Sequence, residues 1–107
     1  MIRIDFLTLP SGGLLGFSME GHAGYGEEGE DIVCAAVSSA AYLTVNTITE
    51  FLHVAPLALR VEEGELFFRI EQKDEPACRE LLAGLKLHLT QLEEQYSGCL
   101  RVEYLEV

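Results

Sequence analysis

The chain is poor in basic residues, and this shortage limits the partners that it can bind. Its 107 residues include 7 Lys and Arg against 18 Asp and Glu, which gives a formal net charge of −11. Contacts with nucleic-acid phosphates need clustered Lys and Arg, so the composition argues against direct nucleic-acid binding. The same charge favours a basic partner, because opposite charges speed encounter, although an acidic surface can also serve solubility alone.

Cysteine is also scarce, and no secretory or membrane signal is evident. The chain has three cysteines, Cys34, Cys78 and Cys99. An odd number of widely spaced cysteines does not form a disulfide framework, and it favours a reducing compartment. No N-terminal apolar segment with a cleavage site is visible, and no apolar run approaches membrane-spanning length. We therefore expect a cytoplasmic protein without membrane contact.

Metal-binding residues are not grouped as a metal site requires. A structural zinc site needs four ligands, usually in close pairs along the chain. No two of the candidate ligands lie two to five positions apart, so no metal and no other cofactor is expected; the candidates are His22, Cys34, His53, Cys78, His88 and Cys99. Cys78 and Cys99 are interpreted as structural residues and His88 as a residue on a solvent face.

The pattern of apolar residues predicts one domain over residues 1–107. Alternation of apolar and polar residues predicts five strands, and 3.6-residue periodicity predicts two helices. The strands are predicted at 2–9, 14–20, 57–62, 66–70 and 100–104, and the helices at about 32–52 and from Asp74 onward. The order β-β-α-β-β-α-β predicts the α+β class, with both helices packed on a mostly antiparallel sheet.

Gly16 predicts a bulge in the second strand. The first helix is apolar on nearly all sides, which suits central burial or a subunit interface.

A glycine-rich segment with a histidine precedes the first helix. Gly21, Gly24, Gly26 and Gly29 surround His22 within ten residues, which predicts a mobile loop or one whose backbone closely approaches another group. The segment from Gly21 to Glu30 is therefore a candidate lid.

A cysteine follows at the predicted start of the helix. With Asp31 as the N-cap, Cys34 takes the third helical position, where unpaired N–H groups and the positive end of the dipole stabilise a thiolate. The same N–H groups could hold an oxyanion. Ser38 lies one turn further along the same face and could orient a partner.

Nearby carboxylates oppose this activation. Glu27, Glu28, Glu30 and Asp31 are close to Cys34 in sequence, and negative charge disfavours a thiolate. His22 must then act as ion-pair partner or general base, which requires the loop to bring it onto the thiol. The spacing alone also allows an inert cysteine and a solvated loop histidine. It equally allows Asp31 as a plain N-cap and Ser38 as a packing residue.

The motif residues resemble the signature of a known family. Gly21-His22-Ala23, followed by Gly29-x-Asp31-Ile32-Val33-Cys34-Ala35-Ala36-x-Ser38, is similar to the signature of the ribosomal-processing cysteine protease (Prp) family. The resemblance extends to chain length and element order. It implies a cysteine endopeptidase with Cys34 as nucleophile and His22 as general base. Asp31 and Ser38 match motif positions without a defined role.

The resemblance also implies a substrate and an assembly. The implied substrate is the precursor of large-subunit ribosomal protein number twenty-seven, whose hydrophobic N-terminal extension is removed after an aromatic-containing motif, in support of ribosome assembly. A homodimer is implied, with a loop between His22 and Cys34 that moves to admit substrate.

Two other functions remain open. One is a non-catalytic, acidic, ribosome-associated binding protein that masks a basic partner. The weaker one is a redox-sensing thiol, which lacks a resolving cysteine close in sequence.

Overall fold

Five strands and two helices follow one another in the predicted order β-β-α-β-β-α-β, in a computed structural model that describes residues 1–21 and 28–107. The strands are β1 (Ile2–Thr8), β2 (Leu14–Glu20), β3 (Ala58–Glu62), β4 (Glu65–Arg69) and β5 (Leu100–Glu106). Helix α1 spans Glu28–Asn46 and continues as a π-helical segment, Thr47–Phe51; helix α2 spans Glu75–Gln95 after a 3₁₀ turn, Gln72–Asp74. The predicted start of the second helix at Asp74-Glu75-Pro76 is confirmed, with Asp74 as the N-cap.

The strands form one sheet in the order β3-β4-β2-β1-β5. All neighbouring pairs are antiparallel except β1 and β5, which are parallel. The α+β class with a mostly antiparallel sheet is therefore confirmed. Both helices are crossover connections: α1 joins β2 to β3, and α2 joins β4 to β5.

The bulge predicted at Gly16 is present. The register between β1 and β2 shifts there, because Leu7 pairs with Gly16 whereas Thr8 pairs with Leu14. Gly16 has φ +148°, and a Cβ at this position would overlap the carbonyl oxygen of Phe68 on β4. Only glycine therefore allows β2 to keep its pairing with β4 at this point.

The core lies between the two helices and one face of the sheet. A row of aromatic rings crosses the central strands, with ring centroids 6.1 Å apart for Phe6 and Phe17 and 6.0 Å apart for Phe17 and Phe68. All three side chains are fully buried. The buried stripe of α1 contains Val33, Val37, Ala41 and Val45, and that of α2 contains Cys78, Leu82, Leu85 and Leu89. Cys78 is thus structural, as predicted, and burial raises the pKa of its thiol.

The start of α1 differs from the prediction. The helix begins at Glu28, so Asp31 lies inside its first turns and is not the N-cap. Cys34 is consequently the seventh helical residue, not the third. Acidic side chains are favourable near the positive end of a helix, and the run from Glu28 to Asp31 can therefore extend the helix upstream of a residue that would otherwise cap it.

The apolar length of α1 also requires a correction. The stretch Ile32–Phe51 is long and apolar enough, by length and composition alone, to cross a membrane, so the expectation that no apolar run approaches that length is wrong. The core helix of a soluble protein passes the same test, and the stretch is weak evidence for a membrane. Here the buried residues of α1 belong to the same hydrophobic core cluster as those of the strands.

An ion pair between the buried Glu75 carboxylate and the exposed Arg79 side chain lies in the first turn of α2. The Glu75 side chain is only 8% exposed and accepts hydrogen bonds from Arg79 Nε at 3.0 Å and Nη2 at 2.7 Å. The hydrogen bonds from Arg79 hold the pKa of Glu75 below its ordinary value of 4.5. A carboxyl with a lowered folded-state pKa stabilises the fold above the unfolded-state pKa, and this contribution is lost as the pH falls through the folded-state value.

Replacing Glu75 by glutamine should therefore flatten the acid limb of the stability profile. We expect Glu75→Gln to be less stable than wild type at pH 7 and to converge on it below pH 4.5. Urea unfolding midpoints between about pH 7 and about pH 2.5 measure the difference. Glu80→Gln, at an exposed position of the same helix, is the matched control; parallel profiles for all three proteins would contradict the assignment.

Candidate active site

Cys34 lies on the flank of α1 that points away from α2. Its thiol is free and partly exposed, and the side chain packs on the edge of the hydrophobic core. Helical periodicity places Ser38 and Tyr42 on the same flank, at one and two turns from Cys34. The opposite flank, with Ala40 and Leu43, faces α2 across a cleft. The site around Cys34 is therefore open toward the part of the sheet that α2 does not cover.

The predicted partner residues are only in part within the described chain. His22, Gly24 and Gly26 lie outside the described residues, as does the side chain of Asp31. The pairing of His22 with Cys34 and the roles of Asp31 and Ser38 therefore stay predictions. Ser38 occupies the predicted position, one turn after Cys34, and is partly exposed.

The ends of the candidate lid are held by ordered structure. The Gly21 N–H donates to the Gly64 carbonyl at 3.1 Å, in the turn between β3 and β4. A Cβ at Gly21 would overlap the Met1 carbonyl oxygen. At the other end Gly29 lies in α1. The predicted loop of ten residues is thus shorter than expected, since residues 28–30 are helical.

The earlier start of α1 also changes the expected oxyanion site. In an α-helix the N–H of the seventh residue donates to the carbonyl four residues before it, so the N–H of Cys34 is not one of the unpaired groups of the first turn. The expectation that Cys34 itself lies among unpaired helix-start N–H groups is wrong for this arrangement. The sequence-based prediction that His22 activates the thiol then becomes more important.

Two sizeable cavities lined by described residues do not contain Cys34. One of about 520 Å³ lies between α1 and α2 and is lined by small and apolar residues together with His88, which is exposed as predicted. Another of about 420 Å³ lies beside the turn Ser11–Gly13 and is lined by Glu75, Arg79 and Lys86. Within residues 1–21 and 28–107, no three His, Cys, Asp or Glu side chains are grouped so as to hold a metal ion.

Exposed apolar residues on β3 are the feature that sequence reasoning missed. Leu59 and Val61 are 44% and 50% exposed, and Leu57, just before the strand, is 57% exposed. These apolar residues alternate with other residues along the strand, which predicts that their side chains share one face of the sheet and are buried there. The feature that distinguishes them is the strand order: β3 is an edge strand, and its apolar side chains stay about half exposed.

Comparison with known proteins identifies the class and then the family. A family model described as Cysteine protease Prp matches residues 1–101. The chain is therefore a cysteine protease with an α+β fold. The chain is 34% identical, over 95% of its length and 96% of the relative's, to the ribosomal processing cysteine protease Prp of Bacillus subtilis. The chain belongs to the Prp cysteine protease family.

Solved structures support the same assignment. The essential ribosomal processing protease Prp from S. aureus in complex with a substrate peptide superposes with a TM-score of 0.88 at 27% identity, covering 98% of this chain and 100% of that one. The same S. aureus protease in complex with a covalently linked product peptide superposes with a TM-score of 0.85 at 28% identity, with the same coverage.

Proposed function

We propose that this protein is a cysteine endopeptidase that removes the hydrophobic N-terminal extension of a ribosomal protein precursor, namely large-subunit ribosomal protein number twenty-seven. The observation that carries the proposal is the match to the ribosomal processing protease of Bacillus subtilis over nearly the whole of both chains. The free, partly exposed thiol of Cys34, on a flank of α1 open toward the edge of the sheet, agrees with it.

The proposed reaction proceeds through an acyl-enzyme. His22 takes the proton of the Cys34 thiol, and the thiolate attacks the scissile carbonyl carbon. The tetrahedral intermediate collapses with loss of the amine, which takes the proton from His22 and leaves as the mature protein. Water, deprotonated by His22, then hydrolyses the thioester and releases the extension as a carboxylic acid. The relative with a covalently linked product peptide supports a covalent route.

The charge of the chain supports the substrate and the location. Ribosomal proteins are basic, and a net charge of −11 raises the encounter rate with a basic chain. A ribosomal precursor is made and assembled in the cytoplasm, so we place the enzyme there.

Exposed apolar residues on α1 and the π-helical segment support a homodimer. Leu43 is 67% exposed and Phe51, at the end of the π-helical segment, is 78% exposed. Large apolar side chains left exposed are typical of a protein–protein contact. Sedimentation velocity of the full chain measures the assembly directly.

The test is to incubate the enzyme with the full-length precursor and to analyse the products by mass spectrometry. We expect two products, the extension with a new carboxyl terminus and the shortened ribosomal protein. A precursor that binds in a salt-sensitive manner but remains intact would contradict the proposal and favour the acidic binding protein. A matched precursor without the extension is the control, and it should remain uncut.

A further inference from the structure

The geometry points to a specific binding site for the substrate: its apolar extension binds in a groove between α1 and the edge strand β3. The bound peptide runs parallel to β3, and its scissile bond lies at Cys34. We call this binding site the edge groove. One side is formed by Cys34, Ser38 and Tyr42 on α1, and the other by Leu59 and Val61 on β3. The inference rests on the proposed function and specifies which surface binds the substrate and in which direction.

The sheet register places the β3 side chains on the same face as the helices. Leu59 pairs with Phe68, which pairs with Phe17, and Val61 pairs in the same way with Leu66. Paired residues on neighbouring strands point to the same face. Phe17, Phe68 and Leu66 are buried beneath the helices, whereas Leu59 and Val61 are about half exposed. The apolar face of the sheet therefore extends beyond the helical layer at β3.

The path of the chain places Cys34 beside this uncovered strip. β2 and β3 both run antiparallel to β4, which lies between them, so α1 crosses over β4 as it joins them. On the same face, α2 packs toward the opposite edge of the sheet, against β2 and β5. The flank of α1 that points away from α2 is the one that carries Cys34, and it therefore faces β3.

The direction of α1 aligns Cys34 with one end of β3. β2 ends at Glu20 and α1 begins at Glu28, so the start of α1 lies at the end of the sheet where β2 finishes. Met19, near that end of β2, pairs with Leu66, which pairs with Val61. Cys34 thus lies near Val61, and Ser38 and Tyr42 continue alongside Leu59 and the beginning of β3.

The outer edge of β3 can pair with an extended peptide. Within residues 1–21 and 28–107 the only strand paired with β3 is β4, so its other edge presents backbone N–H and C=O groups. An added strand would gain these hydrogen bonds, and alternate side chains would contact Leu59 and Val61. A peptide parallel to β3 brings its N-terminal, apolar part along Leu59 and its scissile bond to the Cys34 end.

Charge complementarity favours the same direction. Three exposed carboxylates lie at the end of β3 nearest Cys34: Glu62 ends β3, Glu63 lies in the turn and Glu65 begins β4. In a parallel peptide the residues after the scissile bond pass this turn, and in the proposed substrate these belong to the basic mature protein. The antiparallel direction would place the apolar extension against the carboxylates instead.

The experiment compares Leu59→Ser and Val61→Ser with Leu105→Ser, a matched control that is 54% exposed on the opposite edge strand, β5. The substrates are a peptide with the whole extension and a shorter peptide that keeps only the residues immediately before the scissile bond. We expect each β3 variant to lower kcat/KM for the long peptide by about tenfold, mainly through KM, since one apolar contact contributes this much discrimination. Leu105→Ser should cleave both peptides like wild type. The rate of Cys34 alkylation by iodoacetamide should be the same in all three variants, which shows an intact fold.

Several results would overturn the inference. If both β3 variants cleave the long peptide like wild type, the extension binds elsewhere, although the proposed function stands. If Leu59→Ser converts a sedimenting dimer to monomer at unchanged kcat/KM, a second copy of the chain occupies the groove. If the wild type cleaves neither peptide nor the full precursor, the proposed function itself fails.

Discussion

Replacing Cys34 by serine should lower precursor cleavage by about 10⁴-fold or more, because a serine hydroxyl in this place is a far weaker nucleophile than a thiolate. The change preserves the size of the side chain, and Cys34 is partly exposed at the margin of the core. We therefore expect the free energy of unfolding to change by no more than about 0.5 kcal/mol. Initial rates of product formation, measured beside urea unfolding midpoints, separate lost catalysis from lost folding.

The matched control is Cys99→Ser, since Cys99 is also a free, partly exposed cysteine packed on the core. It should cleave at the wild-type rate. His22→Ala should lose activity to a similar degree as Cys34→Ser, and the double variant should be no worse than either single variant, because two groups that act in one step are not additive. Cleavage by Cys34→Ser within about tenfold of wild type would remove Cys34 from the reaction.

Replacing Gly16 by alanine should destabilise the fold by about 3 kcal/mol or more, a large part of the total stability of a domain of this size. The φ of +148° is unfavourable for a side chain, and a Cβ would also come within 2.9 Å of the Arg69 Cα and overlap the carbonyl of Phe68. The overlap involves backbone, so the relief must come from separation of β2 and β4. The urea midpoint measures the loss.

Gly12→Ala isolates the contribution of the backbone angle. Gly12 has φ +97° in the turn between β1 and β2, and a Cβ there would meet no atom within 4 Å. Its substitution should cost about 1 kcal/mol from backbone strain alone. If both variants lose the same free energy of unfolding, the close approach of β4 contributes nothing to the effect at Gly16.

The elements of this fold can be predicted from sequence because their signals are local. Alternation marks β1 and β2, and the Pro10–Gly13 turn separates them without ambiguity. The leucine stripe of α2 identifies both its existence and its buried face. Gly16 predicts its own bulge, since a glycine inside a strand pattern often marks a bulge or a close approach of another backbone.

The start of α1 could not be predicted because two local preferences compete. Asp31 is a strong N-cap candidate, but the acidic residues before it suit the first turn of a helix equally well. The structure resolves the competition in favour of Glu28. This places Cys34 two turns into the helix, so the sequence identified the nucleophile candidate but misjudged its backbone surroundings.

The exposure of Leu59 and Val61 could not be predicted for a different reason. An alternating strand shows which residues share a face but not whether a helix covers that face, which depends on strand order across the whole sheet. Only the three-dimensional arrangement places β3 at an edge and beyond α1. Binding surfaces formed in this way are hidden from any local pattern.

The parallel pairing of β1 with β5 has a consequence for how the chain folds. Ile2 pairs with Leu100, so one side of the inner strand β1 remains without this partner until the chain as far as β5 has left the ribosome. Such distant pairing is entropically costly and slows folding. An enzyme proposed to mature a ribosomal protein would thus itself complete this sheet only after the other described strands and helices have been made. Until then, the earlier elements alone would expose a β1 edge that nascent chains and chaperones can contact.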